Sequence, residues 1–119
     1  MNIKVVVFAL VMTASMGVQG ESLDTGDSFE TGSSILETCE SEVWYNKGYC
    51  SGYIIGVSDT ADTLALWDGS PVLICIPDGV TAGQLWKVVV KYLNENPEKL
   101  HFAADSLVLA ALEGAFPCE

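Results

Sequence analysis

Cys39, Cys50, Cys75 and Cys118 are the only cysteines of a 119-residue chain, and whether they pair decides how small a core it can fold around. An even number of cysteines reads as disulfides in an oxidising compartment. The N-terminus supplies that context. "MNIK" is a short basic start, "VVVFALVMTASMGV" is apolar, and "VQG" before "ES" places small residues at the −3 and −1 positions of a cleavage site. Residues 1–20 therefore read as a secretory signal peptide, with cleavage after Gly20. The remaining chain, Glu21 to Glu119, is enough for one small domain, and small domains bury little surface and gain from covalent bridges. A metal site is the weaker alternative, because there is no Cys-x-x-Cys pair and His101 is the only histidine.

Charge narrows the partners. The full chain carries a formal −11, and losing Lys4 with the signal peptide leaves four lysines and no arginine against sixteen carboxylates. A surface of that sign repels nucleic acid and anionic lipid, and it speeds encounter with basic partners. No later segment is long and apolar enough to span a bilayer, so the chain is expected to be soluble once the signal peptide is removed.

Residues 21–34, "ESLDTGDSFETGSS", are polar, acidic and rich in Gly and Ser, and read as a flexible leader. Residues 35–119 form the expected domain. Four segments in it have helical spacing. The first opens on a capping box of Ser34 and Glu37, presents Ile35, Leu36, Cys39 and Val43 on one face, and ends at "YNKG". The second runs from about Cys50 to Leu66, with Cys50, Tyr53, Ile54, Val57, Ala61 and Leu64 in one stripe. Gly52 and Gly56 within it each cost roughly 1 kcal/mol relative to alanine, so a neighbouring helix is expected to approach closely there. The third begins with a Thr81–Gln84 capping box and a Val80–Leu85 hydrophobic staple, followed by Val88, Val89, Tyr92 and Leu93. "VVVKYL" could pass for a strand, but the capped start and continuing period favour helix. In "NENPEKL", Asn96 suits an N-cap and Pro97 a first helical position, with Glu98 complementing the helix dipole. A fourth helix then buries Leu100, Ala103, Ala104, Leu107, Val108 and Ala111 and ends at Gly114.

The expected fold is an all-α, small antiparallel bundle of about four helices stapled by two disulfides. A hairpin of the first two helices lets Cys39 meet Cys50. The second helix, about 25 Å long at 1.5 Å per residue, separates Cys50 from Cys75, while the fourth helix returns Cys118 toward the start of the third. Cys39–Cys50 and Cys75–Cys118 are thus favoured among the three connectivities.

Little in the chain suits catalysis. A nucleophile needs a base within reach. His101 is the only imidazole, and "GYCSGY" superficially resembles a cysteine-protease nucleophile segment, but Cys50 is expected in a disulfide, whose sulfur cannot attack. Asp59 and Asp62 read as a solvated helix face. No cofactor is implied, and the chain is not expected to be an enzyme. Binding is the remaining class. Trp44 with Tyr45 falls at the first connection, and Trp67 beside Asp68 opens the longest one, residues 67–80, which also carries Asp78. Large aromatics beside carboxylates suit an interface anchor with an acidic rim. Trp67, Asp68, Asp78 and Trp44 are the candidate partner-binding residues.

"CSGYIIGV" at Cys50–Val57, followed by "ICIPDGVTAGQLWKVVVKYLNENPEKLHFAADSLVLAALEGAFPC", resembles the Rap/Tai family of immunity proteins over about residues 39–118. The Cys-x-Pro element at Cys75 and Pro77 and the terminal Pro117–Cys118 carry much of the resemblance. Asn96 stands where many relatives have histidine, and the acidic leader is not a recognised family feature. The resemblance implies a periplasmic all-α protein, often a homodimer, whose partner is a peptidoglycan-amidase effector of type VI secretion. It implies inhibition by a loop inserted into the amidase cleft. A periplasmic chaperone or stress protein on a similar disulfide-bonded scaffold is the alternative.

Overall fold

A computed structural model describes residues 28–119. The expected signal peptide, and the leader as far as residue 27, lie outside the described residues. Four helices form an all-α bundle: α1 (Gly32–Glu40), α2 (Trp44–Asp68), α3 (Ala82–Glu95) and α4 (Ala104–Ala115), with a 3-10 turn at Pro97–Lys99. Each helix touches the other three. Their shared core is Ile35 and Cys39 of α1, Cys50 and Ile54 of α2, Leu85, Val89 and Leu93 of α3, and Ala104, Leu107, Val108, Ala111 and Leu112 of α4. Ile74, from the connection after α2, completes it.

Both disulfides form in the expected pairing, Cys39–Cys50 and Cys75–Cys118. The first ties α1 to α2 inside the core, where both residues are fully buried. The second fastens the C-terminal tail to the connection between α2 and α3. There Ile74 and Pro117 form an isolated antiparallel bridge, and the Cys75 amide donates to the Phe116 carbonyl at 2.8 Å.

Helix boundaries divide by what sets them. α3 starts where its sequence predicts: Thr81 is the N-cap, its hydroxyl accepts from the Gln84 amide, and the Gln84 side chain accepts from the Thr81 amide. Val80 and Leu85, the expected staple pair, are half-buried and buried. α1 departs from expectation. Its N-cap is Thr31, paired with Ser34 at N3, so Gly32, Ser33 and Ser34 belong to the helix and not to a leader. The cause is tertiary: the Gly32 and Ser33 amides donate to the Phe102 and Leu100 carbonyls, both at 2.9 Å. Gly32 is buried there, and a Cβ on it would collide with the Leu107 side chain and lie 3.0 Å from the Leu100 Cα.

The same contact begins α4. Ala103 caps it without a side-chain hydrogen bond, and the Glu30 carbonyl accepts from the Ala104 amide at 2.9 Å. The fourth helix therefore does not start at Pro97. Pro97 opens the 3-10 turn instead, while Asn96 closes α3 and its side-chain amide donates back to the Tyr92 carbonyl at 2.8 Å. The carbonyls just after that turn, of Leu100 and Phe102, are what receive α1.

The largest correction is α2. "YNKG" does not end the first helix; it lies in the opening turns of the second, which runs for 25 residues. The Cys39–Cys50 bridge and the buried Ile54 hold this part of α2 on α1 and override the weak helix propensity of Gly48. Val43, expected on the core face, is instead the exposed N-cap of α2. No described atom outside the helix backbone comes within 4 Å of a Cβ built on Gly48, Gly52 or Gly56, so the expected close approach of a helix to Gly52 and Gly56 is absent from the described residues.

Candidate partner-binding surface

At 1.5 Å per residue a 25-residue helix is about 37 Å long, whereas the 14 residues of α3 span about 21 Å. α2 is thus much longer than the helices it packs on. Its buried residues are Cys50, Ile54 and Ser58, and none of residues 59–68 is buried. The far end carries an apolar load all the same: Leu64, Leu66 and Trp67 are exposed, Leu66 and Trp67 by 81% and 80%. Large apolar side chains left in water on an element that the core does not need are characteristic of a docking surface.

α2 stops at Gly69, whose φ of 71° is the left-handed conformation that glycine adopts without strain. Asp68 braces this stop by accepting a hydrogen bond from the Ser70 amide at 2.8 Å, and its bonds to Ser70 hold its carboxyl below the usual carboxylate range. The chain then turns back through Val72 and Leu73, also exposed, to the buried Ile74. Between the end of α2, this returning segment and α4 lies a cavity of about 290 Å³. Leu64, Ala65, Val72, Leu73 and Leu109 line it, with Asp62, Asp68 and Glu113 among them.

The predicted partner residues do not form one cluster. Trp67 and Asp68 sit together in the last turn of α2, inside the helix and not in the loop. Asp78 is exposed in the turn that leads into α3. Trp44 is 82% exposed in the first turn of α2, edge-on to Tyr45 with ring centroids 6.4 Å apart. That places it about 35 Å along the helix from Trp67. Leu64, Leu66, Val72, Leu73, Asp62 and Glu113 are the members that sequence reasoning missed. "LALW" followed by "PVLICIP" was the available signal, since an apolar helix end and an apolar connection together exceed what a small core can take up.

The residues weighed for chemistry stand apart. His101 is exposed and packs on Phe102 at 4.2 Å between ring centroids. Cys50 is in a disulfide, and Asp59 and Asp62 are exposed on α2. Among the described residues no group of three His, Cys, Asp or Glu could hold a metal ion.

A family model described as Rap1a immunity proteins matches residues 31–118, from the N-cap of α1 to the last cysteine. No curated protein and no solved structure matches the chain.

Proposed function

Because the chain belongs to the Rap1a family of immunity proteins, we propose that it neutralises a peptidoglycan-amidase effector of type VI secretion by binding it and occluding its active-site cleft. The projecting end of α2 and the returning segment as far as Ile74 form the part that enters the cleft. The observation that carries this reading is the unburied apolar end of α2, where Leu66 and Trp67 stand in water. Its carboxylates suit a basic target and speed encounter by electrostatic steering. Inhibition here is steric, with no catalytic step by the immunity protein. The periplasm is the proposed compartment, supported by two disulfides and by the fact that no described helix is long and apolar enough to cross a membrane.

Immunity genes usually adjoin those of their toxins, so the test is an amidase assay on isolated peptidoglycan with the product of the adjoining gene, with and without the oxidised mature protein. Stoichiometric inhibition is expected. Unchanged hydrolysis together with suppression of the aggregation of unrelated unfolded proteins would instead identify a periplasmic chaperone.

A homodimer is the assembly we propose alongside. The solvent side of α2 presents Gly48, Gly52 and Gly56 in an open row beside the exposed Tyr45 and Tyr49, which gives a second copy room for close helix approach. Sedimentation equilibrium of the protein and of Gly52→Glu distinguishes a dimer at this face from a monomer.

A further inference from the structure

We infer that the cavity between the end of α2, the returning segment and α4 receives a single lysine or arginine side chain from the protein partner. This deepens the reading above and rests on it for the identity of the partner, but the chemistry follows from the cavity. At about 290 Å³ it lies at the lower edge of small-molecule pockets. It has room for one long side chain and is small for a cofactor. Leu64, Ala65, Val72, Leu73 and Leu109 give it an apolar floor that suits an aliphatic stem. Asp62, Asp68 and Glu113 add carboxylates for a charged head. Long cationic side chains divide in this way, stem on apolar surface and head in polar surroundings.

Three features make the occupant a cation. First, the stretches of chain that line the cavity carry no positive charge of their own: Lys47 lies in the first turn of α2, far from the cavity, and there is no lysine or arginine between Gly48 and Trp86 and none after Lys99. The ion pairs of the described residues, Lys47–Glu42 and Lys91–Glu95, lie elsewhere. Second, the C-terminal pole of α2 meets the cavity, and a helix C-terminus carries a partial negative charge of roughly half a unit. A basic residue in the last turn would offset it; α2 has none there and ends on Asp68. Negative charge on the negative pole opposes the helix dipole in the unbound protein, and a bound cation relieves it. Third, Asp62, Asp68 and Glu113 line the cavity together with apolar side chains, and among the described residues they form no group that could hold a metal ion. An organic cation with a hydrocarbon stem fits that arrangement; a bare metal ion does not.

The experiment is an amide NMR titration of the oxidised mature protein with a blocked Gly-Ser-Arg-Ser-Gly peptide, and with the same peptide carrying uncharged, isosteric citrulline for arginine. Saturable shifts confined to residues 61–74 and 109–113 are expected, with affinity about tenfold weaker for the citrulline peptide and in Asp62→Asn/Glu113→Gln, the loss of a charge-assisted hydrogen bond. The double variant leaves Asp68 and its bond to Ser70 in place, so an unchanged amide spectrum elsewhere verifies its fold. Equal shifts with both peptides, shifts elsewhere, or none would overturn the inference. So would equal affinity for free spermidine, which would reduce the site to diffuse charge, or peptide-free shifts that grow with protein concentration, which would make a second copy the occupant. The amidase assay separates the two proposals. Arginine-peptide binding without inhibition sinks only the effector reading, and full inhibition by the double variant sinks only the cavity.

Discussion

Gly32 and Gly52 both lie in helices, yet an added methyl group meets different surroundings at each. At Gly32 it strikes Leu107 and the Leu100 backbone, and at Gly52 it meets nothing within 4 Å. Gly32→Ala should therefore cost about 1–3 kcal/mol as an overpacked contact. Gly52→Ala should stabilise the monomer by about 0.5–1 kcal/mol through helix propensity alone. Urea unfolding of the two variants reads both signs, and equal effects would contradict the packing described. Glu30 is the other residue on which several elements meet. Its carboxylate accepts from the Tyr49 hydroxyl at 2.8 Å, and its carbonyl caps α4. The Glu30 hydrogen bond, aided by desolvation, raises the Tyr49 pKa above 10.0. This link stabilises the fold fully below pH 10 and is lost as pH rises through the raised value. Tyrosinate absorbance, assigned with Tyr49→Phe, should show Tyr49 titrating above the ordinary range and moving back toward it in Glu30→Gln. An identical titration in Glu30→Gln would refute the link.

At the scale of elements, what was legible in the sequence is what local chemistry decides. The Thr81–Gln84 box was readable because donor and acceptor sit three residues apart and need no other helix. Cysteine spacing and helical period together gave the all-α class and the disulfide pairing. The start of α1 was not readable, because Ser34 and Glu37 form as plausible a box as Thr31 and Ser34, and the choice is made by the carbonyls of Leu100 and Phe102, far away in sequence. The length of α2 was hidden for the same reason: Gly48 reads as a stop until a disulfide holds the helix through it. The site was hidden for a different reason: the helix was legible to about Leu66, but the apolar stripe through Ala61 and Leu64 reads as core-facing, and only the packing shows that none of residues 59–68 is buried. A chain that starts at Ile35, the sequence-based domain boundary, loses the Thr31 cap, the first turn of α1 and the Glu30 cap on α4. It should be about 3 kcal/mol less stable than one that starts at Ser28. Equal denaturation midpoints for the two chains would show that residues 28–34 lie outside the folded unit.

Across the whole molecule, the two bridges differ in access as well as in span. Cys39–Cys50 closes 11 residues and is fully buried, whereas Cys75–Cys118 closes 43 with Cys75 exposed. Loop-closure entropy gives about 3 kcal/mol for the first and about 4 for the second, and losing the buried bridge also removes core contacts. Limited reduction followed by alkylation and mass mapping should therefore label Cys75 and Cys118 first, with Cys39 and Cys50 protected until global unfolding; the reverse order would contradict this core. Charge divides the molecule as sharply. All four lysines of the domain lie at Lys47 or on α3 and the turn after it, which leaves the end of α2, the returning segment and α4 uniformly acidic. The face with the exposed Leu66 and Trp67 is thus also the face that attracts a basic partner. In the proposed mode of inhibition this face, and not the tryptophan at the opposite end of α2, grips the effector. The decisive measurement is titration calorimetry of the oxidised protein against the product of the adjoining gene, comparing Leu66→Ala/Trp67→Ala with Trp44→Ala. Affinity should be at least about 30-fold weaker for the double variant, an anchor loss of about 2 kcal/mol or more, with little change for Trp44→Ala. Wild-type affinity in the double variant, or a loss confined to Trp44→Ala, would contradict it.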